Sequence, residues 1–300
     1  MLIRLPMLFR CFFFLLVPIF LFAQEDDYYD YDEDEWLPGT YMQQATDVVF
    51  EKASLMTALS EFSFTDKLCL AGALLEMGET IALDVELTKG QAYTFIGGGD
   101  EDVIDLDLYI VDEKGEIVAS DTEDDGTPIP DFIAEYSGRY SVRMQLVAGE
   151  QSTSFVSLAI LTEGGTTLTD ESFNAISTDF YDRGEELNLL SASGTRWHDV
   201  DNQWCLFGLL LEEGESWQLS NMRLGSLKHR YYLMTDEEKM AKIDLQLNSD
   251  QGELMSLQEE NGLSFSHSAQ DNVRYELAVK NGNGKKGRHL ILVGVVTEDF

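Results

Sequence analysis

Carboxylates two residues apart on an extended chain are the groups in this sequence best placed to do chemistry. In DVIDLDLYIVDEKGEIVASDTEDD (102–125), Asp105 and Asp107 fall on one face of a strand. Asp121, Asp124 and Asp125 end the next strand or open the loop after it. If DEKG (112–115) turns an antiparallel hairpin, position 107 faces 120–121, and Asp107 and Asp121 are neighbours. Crowded carboxylates repel, and a hard, oxygen-loving cation relieves the repulsion. Calcium takes about 6–8 oxygens, and backbone carbonyls over 122–127 would complete its shell. Asp105, Asp107, Asp121, Asp124 and Asp125 are therefore a candidate calcium set. The same pattern also reads as a solvated acidic edge, or as a docking surface for a basic partner.

Other reactive constellations do not emerge. The histidines His198, His229, His267 and His289 have no zinc spacing, and no HExxH or Gly-x-Ser-x-Gly occurs. GNGKKG (282–287) lacks phosphate-loop spacing and reads as a hairpin tip. A carboxylate pair for glycoside hydrolysis carries no information where acids are everywhere. We therefore expect no enzyme activity. Aromatic residues give a second functional idea. Trp197, Trp204, Trp217, Tyr231 and Tyr232 are concentrated in the second half, and an exposed Trp217 or Tyr231 could stack on a sugar ring. Strand alternation sends Tyr231 and Tyr232 to opposite faces, so at least one belongs to the core.

Charge narrows the partners. The chain has 20 Lys and Arg against 55 Asp and Glu, a net charge of −35. Such a surface repels nucleic acid and anionic lipid, and suits cations, basic proteins or a saline medium. At the N-terminus, Arg4 and Arg10 precede the apolar run CFFFLLVPIFLF (11–22) and then Ala23. This reads as a signal peptide over 1–23, cut after Ala23, its apolar run too short to span a bilayer, with an uncleaved membrane anchor as the alternative. The expected product is secreted or periplasmic and not membrane-inserted. QEDDYYDYDEDE (24–35) has no aliphatic residue to bury and is expected to be a disordered leader.

Two copies of one unit must position these groups. CLAGALLEMGET begins at Cys69 and CLFGLLLEEGES at Cys205, 136 residues later. LDLYIVDEKGEIV (106–118) aligns with IDLQLNSDQGELM (243–255), and FVSLAILTE (155–163) with LILVGVVTE (290–298). Each copy shows short runs of period two with turns between them, the pattern of an antiparallel β-sandwich. Lead-ins TDVVFEKASLMTALSEF (46–62) and ESFNAISTDFYDRGEELNLL (171–190) read as helices, with edge strands as the alternative. GGTT (164–167) marks the boundary between a first domain over 36–163 and a second over 164–300. Cys69 and Cys205 occupy equivalent places. They are read as buried thiols, as a Cys69–Cys205 disulfide if the copies pack about a two-fold axis, or as an intermolecular bridge.

Residues LTKGQAYTF (87–95), DLDLYIVDEKGEIVASD (105–121) and SGRYSVRM (137–144) resemble the bacterial pre-peptidase C-terminal (PPC) domain. The resemblance implies a small jelly-roll-like sandwich, secretion and no catalysis of its own. It also implies that calcium could sit at the acidic loop, as in some similar sandwiches. The second copy is degenerate: Lys242 stands where the first has Asp105, Asp244 and Asp250 are kept, and most of the loop acids are lost, with Glu259 and Glu260 remaining. The chain is thus expected to be mainly all-β, two tandem antiparallel jelly-roll-like sandwiches. Its expected role is a non-catalytic binding or structural module with a protein partner at the cell envelope, or a carbohydrate binder using Trp217 and Tyr231.

Overall fold

A sheet buried on both faces reads as continuous apolar sequence, and one buried on a single face reads as alternation. Both patterns occur here, and they divide the strands into layers. The computed structural model describes residues 38–190, 195–197, 203–235, 242–250, 252–260, 264–282 and 287–298. The expected signal peptide, the acidic leader and most of the GNGKKG tip lie outside these residues.

The first copy runs α1 (Pro38–Leu59), β1 (Phe62–Phe64), β2 (Lys67–Glu76), β3 (Thr80–Leu87), β4 (Ala92–Gly99), β5 (Val103–Val111), β6 (Ile117–Asp121), β7 (Asp131–Ile133), β8 (Gly138–Gly149) and β9 (Thr153–Glu163). The second repeats this order: α2 (Asp170–Leu190), β10 (Arg196–Trp197), β11 (Leu206–Glu212), β12 (Ser216–Met222), β13 (Lys228–Thr235), β14 (Lys242–Ser249), β15 (Gly252–Glu260), β16 (Ser264–Ser268), β17 (Tyr275–Asn281) and β18 (Arg288–Thr297). The mainly all-β antiparallel sandwich fold is as expected. Both lead-ins are helices, and α2 is unbroken at Gly184. The missing side chain there leaves room for the Tyr232 hydroxyl and the Trp197 ring.

The copies are not strung side by side as independent sandwiches. They share one central sheet of order β16-β13-β18-β11-β2-β9-β4-β7, with β1 on β9 and β10 on β18. The order is a palindrome under the repeat, and its centre is the antiparallel pair β2–β11. Register places Leu206 opposite Gly72, Phe207 opposite Ala71 and Gly208 opposite Leu70. Adding the 136-residue offset turns the first pair into the third and leaves Ala71–Phe207 unchanged, so a pseudo-two-fold axis passes through that pair. The expected domain boundary falls in the turn between β9 and α2, where Gly164 takes φ 71°.

Central strands are covered on both sides. Residues 68–75 of β2 and 154–161 of β9 are all buried. On one face lie the helices: a Cβ at Gly98 would sit 2.9 Å from both Val48 and Val49 of α1. On the other lie two four-stranded sheets, β3-β8-β5-β6 and β12-β17-β14-β15. Gly97, one residue along from Gly98, looks that way, onto Leu108 and Pro128. The outer sheets alternate: β3 is buried at Ile81, Leu83, Val85 and Leu87 and exposed between them. The helices lock together where Phe50 stacks on Phe173, ring centroids 3.8 Å apart, and where the Thr46 and Tyr181 hydroxyls meet at 2.5 Å.

Cys69 and Cys205 are buried, and no disulfide joins them. The expected two-fold packing is present, yet it holds the thiols apart. They flank the axis four positions from one another along the β2–β11 ladder, about 13 Å at about 3.3 Å per residue. A disulfide needs Cα atoms within about 7 Å. Instead the Cys69 thiol donates to the Gly208 carbonyl at 3.3 Å and the Cys205 thiol to the Gly72 carbonyl at 3.5 Å, a pair related by the axis.

Helix α1 can approach β4 closely because residue 98 has no side chain. Gly98→Val is expected to cost about 1–3 kcal/mol, the usual range for overpacking. That would lower the melting temperature by about 2–4 °C per kcal/mol, read by thermal unfolding; an unchanged melting temperature would mean that α1 is not seated there.

Candidate functional site

The acidic stretch forms the β5–β6 hairpin and the loop to β7, but not in the expected register. A bulge at Ile110/Val111 shifts the pairing by one residue, so Leu108, not Asp107, lies opposite Asp121. A one-residue slip moves a side chain to the other face of a sheet. Asp107 therefore points outward with Asp105 and Tyr109, while Asp121 points to the core side with Leu108. The expected Asp107–Asp121 pair is not formed. Asp107 accepts from the Tyr109 hydroxyl at 2.6 Å, and that bond raises the tyrosine to about 12. Asp121 accepts from the backbone N–H of Ile129 at 2.8 Å and of Glu123 at 3.3 Å. Asp125 accepts from the Thr127 N–H at 2.8 Å, and its carbonyl accepts from Leu106 N–H at 2.9 Å. Thus Asp121 and Asp125 order the 122–130 loop by satisfying its amides. Asp105 lies within the fields of Asp107, Asp124 and Asp125; desolvation first, then these charges, raise its carboxyl. Among the described residues, no three acidic, histidine or cysteine side chains converge as metal ligands.

Both tyrosines singled out in the second copy are core residues. β13 belongs to the central sheet, so each of its faces is covered. Tyr231 is fully buried and stacks on Phe265 at 4.9 Å, and Tyr232 is fully buried and stacks on Phe180 of α2 at 4.5 Å. Alternation sends them to opposite faces as expected, but neither face meets solvent, which removes Tyr231 as a binding residue. Trp217 is placed differently. It lies on β12, the inner edge of the second outer sheet, half-buried, with its ring 5.1 Å from Phe207.

Trp217 walls a cleft of about 740 Å³ between the two outer sheets. One side is the edge strand β3 with Asp84 and Glu86; the other is β12 with Ser216, Trp217 and Gln218. Lys67 and Leu68 of β2 and the Tyr93 ring also line it. Lys67 takes φ 66°, a left-handed conformation that costs a non-glycine residue energy. Asp66 pairs with Arg288 at 2.8 Å and Asp84 with Arg139 at 3.6 Å. The lining holds four carboxylates, Asp66, Asp84, Glu86 and Glu163, against the single Lys67.

Both walls are unpaired strand edges. Among the described residues, β3 pairs as a strand only with β8, and β12 only with β17. Leu146 N–H donates to the Glu79 carbonyl, and the register continues as Thr80↔Gln145. Backbone groups of Ile81, Leu83 and Val85 therefore face β8, and those of Ala82, Asp84 and Glu86 face away from it. Likewise Asn281 N–H donates to the Glu215 carbonyl, with Ser216↔Lys280 next, so Ser216 and Gln218 turn their backbone groups away from β17. At the far end, the Trp204 indole N–H donates to the Ala82 carbonyl at 2.8 Å.

Sequence reasoning found Trp217 but missed Leu68, Asp84, Glu86, Tyr93 and Gln218. The repeat held the missing signal. Leu68 and Trp204 each precede the repeated cysteine, so the copies differ at the residue that closes or opens the space between the outer sheets.

Comparison with known proteins adds only distant likeness. No protein-family model matches this chain, and no curated protein matches it. An anti-sigma factor domain-containing protein from Clostridium clariflavum is similar over 75% of this chain and 92% of its own, at 10% identity and a TM-score of 0.23. The secreted serine protease VesC from Vibrio cholerae is similar over 76% of this chain and 47% of its own, at 11% identity and a TM-score of 0.23. The tandem CBM22-1-CBM22-2 domain of Paenibacillus barcinonensis Xyn10C is similar over 78% and 98%, at 9% identity and a TM-score of 0.20. Likenesses of this depth carry no argument about function.

Asp121→Ala strands two loop amides and is expected to cost about 1–3 kcal/mol, whereas Asp107→Ala should be nearly neutral. With that geometry, calcium should raise the melting temperature no more than magnesium at equal ionic strength. A calcium-specific rise lost in Asp105→Asn would restore that stretch as a metal site. Asp100 is buried in the β4–β5 turn, where it accepts from Phe155 N–H at 2.6 Å and Asp102 N–H at 3.2 Å. Burial raises its carboxyl to about 6, against the opposing pull of those two donors. A carboxyl with a higher value folded than unfolded binds its proton more tightly in the folded state. Its contribution to stability therefore grows as pH falls from about 6 to about 4. Thermal unfolding from pH about 7 to about 5 should show a rising melting temperature, with a shallower rise in Asp100→Asn.

Proposed function

We propose that this chain is a secreted, non-catalytic binding module of the cell envelope, and that it holds a protein partner in the cleft between β3 and β12. The carrying observation is that two strand edges with unpaired backbone groups face one another across an open, acidic space. Soluble proteins normally blunt, cover or pair such edges. Edges left open are the usual receptors for an added strand. The N-terminal sequence pattern supports export, and the likeness of the first copy to PPC sandwiches supports an accessory role rather than a catalytic one.

Trp217 favours a second reading. A half-buried indole in a polar cleft can stack on a sugar ring, so the cleft could take a glycan. A photo-crosslinking residue placed at Gln218 decides between them in the intact cell envelope. The protein reading expects a protein adduct that disappears when Leu68→Trp narrows the cleft, and no adduct from the same residue placed at Asp107 on the outer face. Glycan-array binding lost in Trp217→Ala, with melting unchanged, would give the carbohydrate reading instead. Turnover of ester, peptide or glycoside substrates abolished by one carboxylate substitution would overturn the non-catalytic assignment.

A further inference from the structure

We infer that the cleft is the vacated mate of an internal contact, and that its occupant is an extended, basic peptide segment presenting an aromatic side chain. This rests on the protein-binding reading above and names the chemistry of the partner.

The argument starts from the repeat. Under the 136-residue offset, Cys69 maps to Cys205, Leu68 to Trp204, Ala82 to Gln218 and Ile81 to Trp217. On one side of the pseudo-two-fold axis, the Trp204 indole is buried between the outer sheets and donates its N–H to the outward-facing carbonyl of Ala82. The axis-related partners on the other side are Leu68 and Gln218. Leu68 is shorter than an indole and has no N–H to give. Both Leu68 and Gln218 line the open cleft. The Gln218 backbone, like that of Ala82, is turned away from its own sheet. The chain thus contains one filled copy of a site and one open copy, and the filled copy shows what fits: a flat apolar ring with a donor at its edge.

The remainder of the cleft specifies the rest of the occupant. Asp84 and Glu86 of β3 offer backbone N–H and C=O groups in the alternation that an added strand reads. Their side chains project on the exposed face of the same strand. With Asp66 and Glu163 they outnumber Lys67 in the lining, and because Arg288 pairs Asp66 and Arg139 pairs Asp84, the excess negative charge comes from Glu86 and Glu163. An extended segment with Lys or Arg near the aromatic residue satisfies both the backbone and the charge. Trp217 and Tyr93 supply aromatic surface for the inserted ring.

The test uses the chain over residues 24–300 and five synthetic peptides, with binding read by calorimetry. Lys-Val-Lys-Trp-Lys-Val-Lys is expected to bind. Replacing its Trp by Ala, or its Lys by Glu, should weaken binding by at least about tenfold. N-methylation of alternate amides should abolish binding in one parity and leave it in the other. Leu68→Trp should abolish binding while the melting temperature holds or rises, and Asp84→Asn with Glu86→Gln should weaken it and flatten its salt dependence. Equal binding of the Trp and Ala peptides, unaffected by Leu68→Trp, would mean nonspecific attraction to an acidic protein and would overturn the inference. No peptide binding alongside a Leu68→Trp-sensitive protein adduct at Gln218 would also overturn it, and would leave the protein-binding reading standing. Absence of both would remove the two together.

Discussion

The antiparallel pairing of β2 with β11 is the interaction on which the rest of the molecule depends. Two β-sandwiches in tandem each carry sheet edges that must be paired or protected. Here the inner edge of each main sheet is satisfied by the other copy, so the inter-copy seam is a backbone ladder. That ladder is why the apolar runs starting at Cys69 and Cys205 can be buried on both faces. It also gives the cysteines their role, since each thiol caps a carbonyl of the opposite copy across the seam. A chain built this way gains a central sheet longer than either copy could form and loses the independence of its halves.

Fusing the central sheet has a consequence for the outer ones. The two four-stranded sheets sit on the same face of the shared sheet, with their first strands, β3 and β12, flanking the pseudo-two-fold axis. They do not pair with each other, so the edges hidden in the middle layer reappear in the outer layer, facing inward across a gap. One end of the gap is closed by Trp204. The opposite end stays open because the other copy has leucine at that place. A near-symmetric scaffold whose copies differ at Leu68/Trp204, and beside it at Ala82/Gln218 and Ile81/Trp217, therefore leaves a cleft at one end of the gap.

Electrostatics works through this frame rather than against it. The acids of the 102–125 stretch are spread over two faces of a sheet, and several bind backbone amides. A carboxylate accepting amide bonds in a turn or loop is a structural group, and Asp112, Asp121 and Asp125 act in that way within the dense run of acids. The one-residue bulge at Ile110/Val111 separates the two interpretations, because it decides which carboxylates share a face.

Much was legible in the residues themselves. Continuous apolar runs and alternating runs identify which strands are covered on two faces and which on one, because burial acts directly on side-chain type. The repeat, visible in the two cysteine motifs, implies two copies of one sandwich, and the apolar residues spread through 46–62, Val49 and Phe50 among them, imply a helix before the first. Tertiary structure decided what depends on contacts between distant segments. The β5–β6 register, the burial of Tyr231 on both sides and the meeting of Trp204 with Ala82 are set by long-range pairing that local propensity does not encode. The cleft belongs wholly to that second class: Leu68, Asp84 and Gln218 are unremarkable in sequence, and only the antiparallel union of the copies brings them to one place.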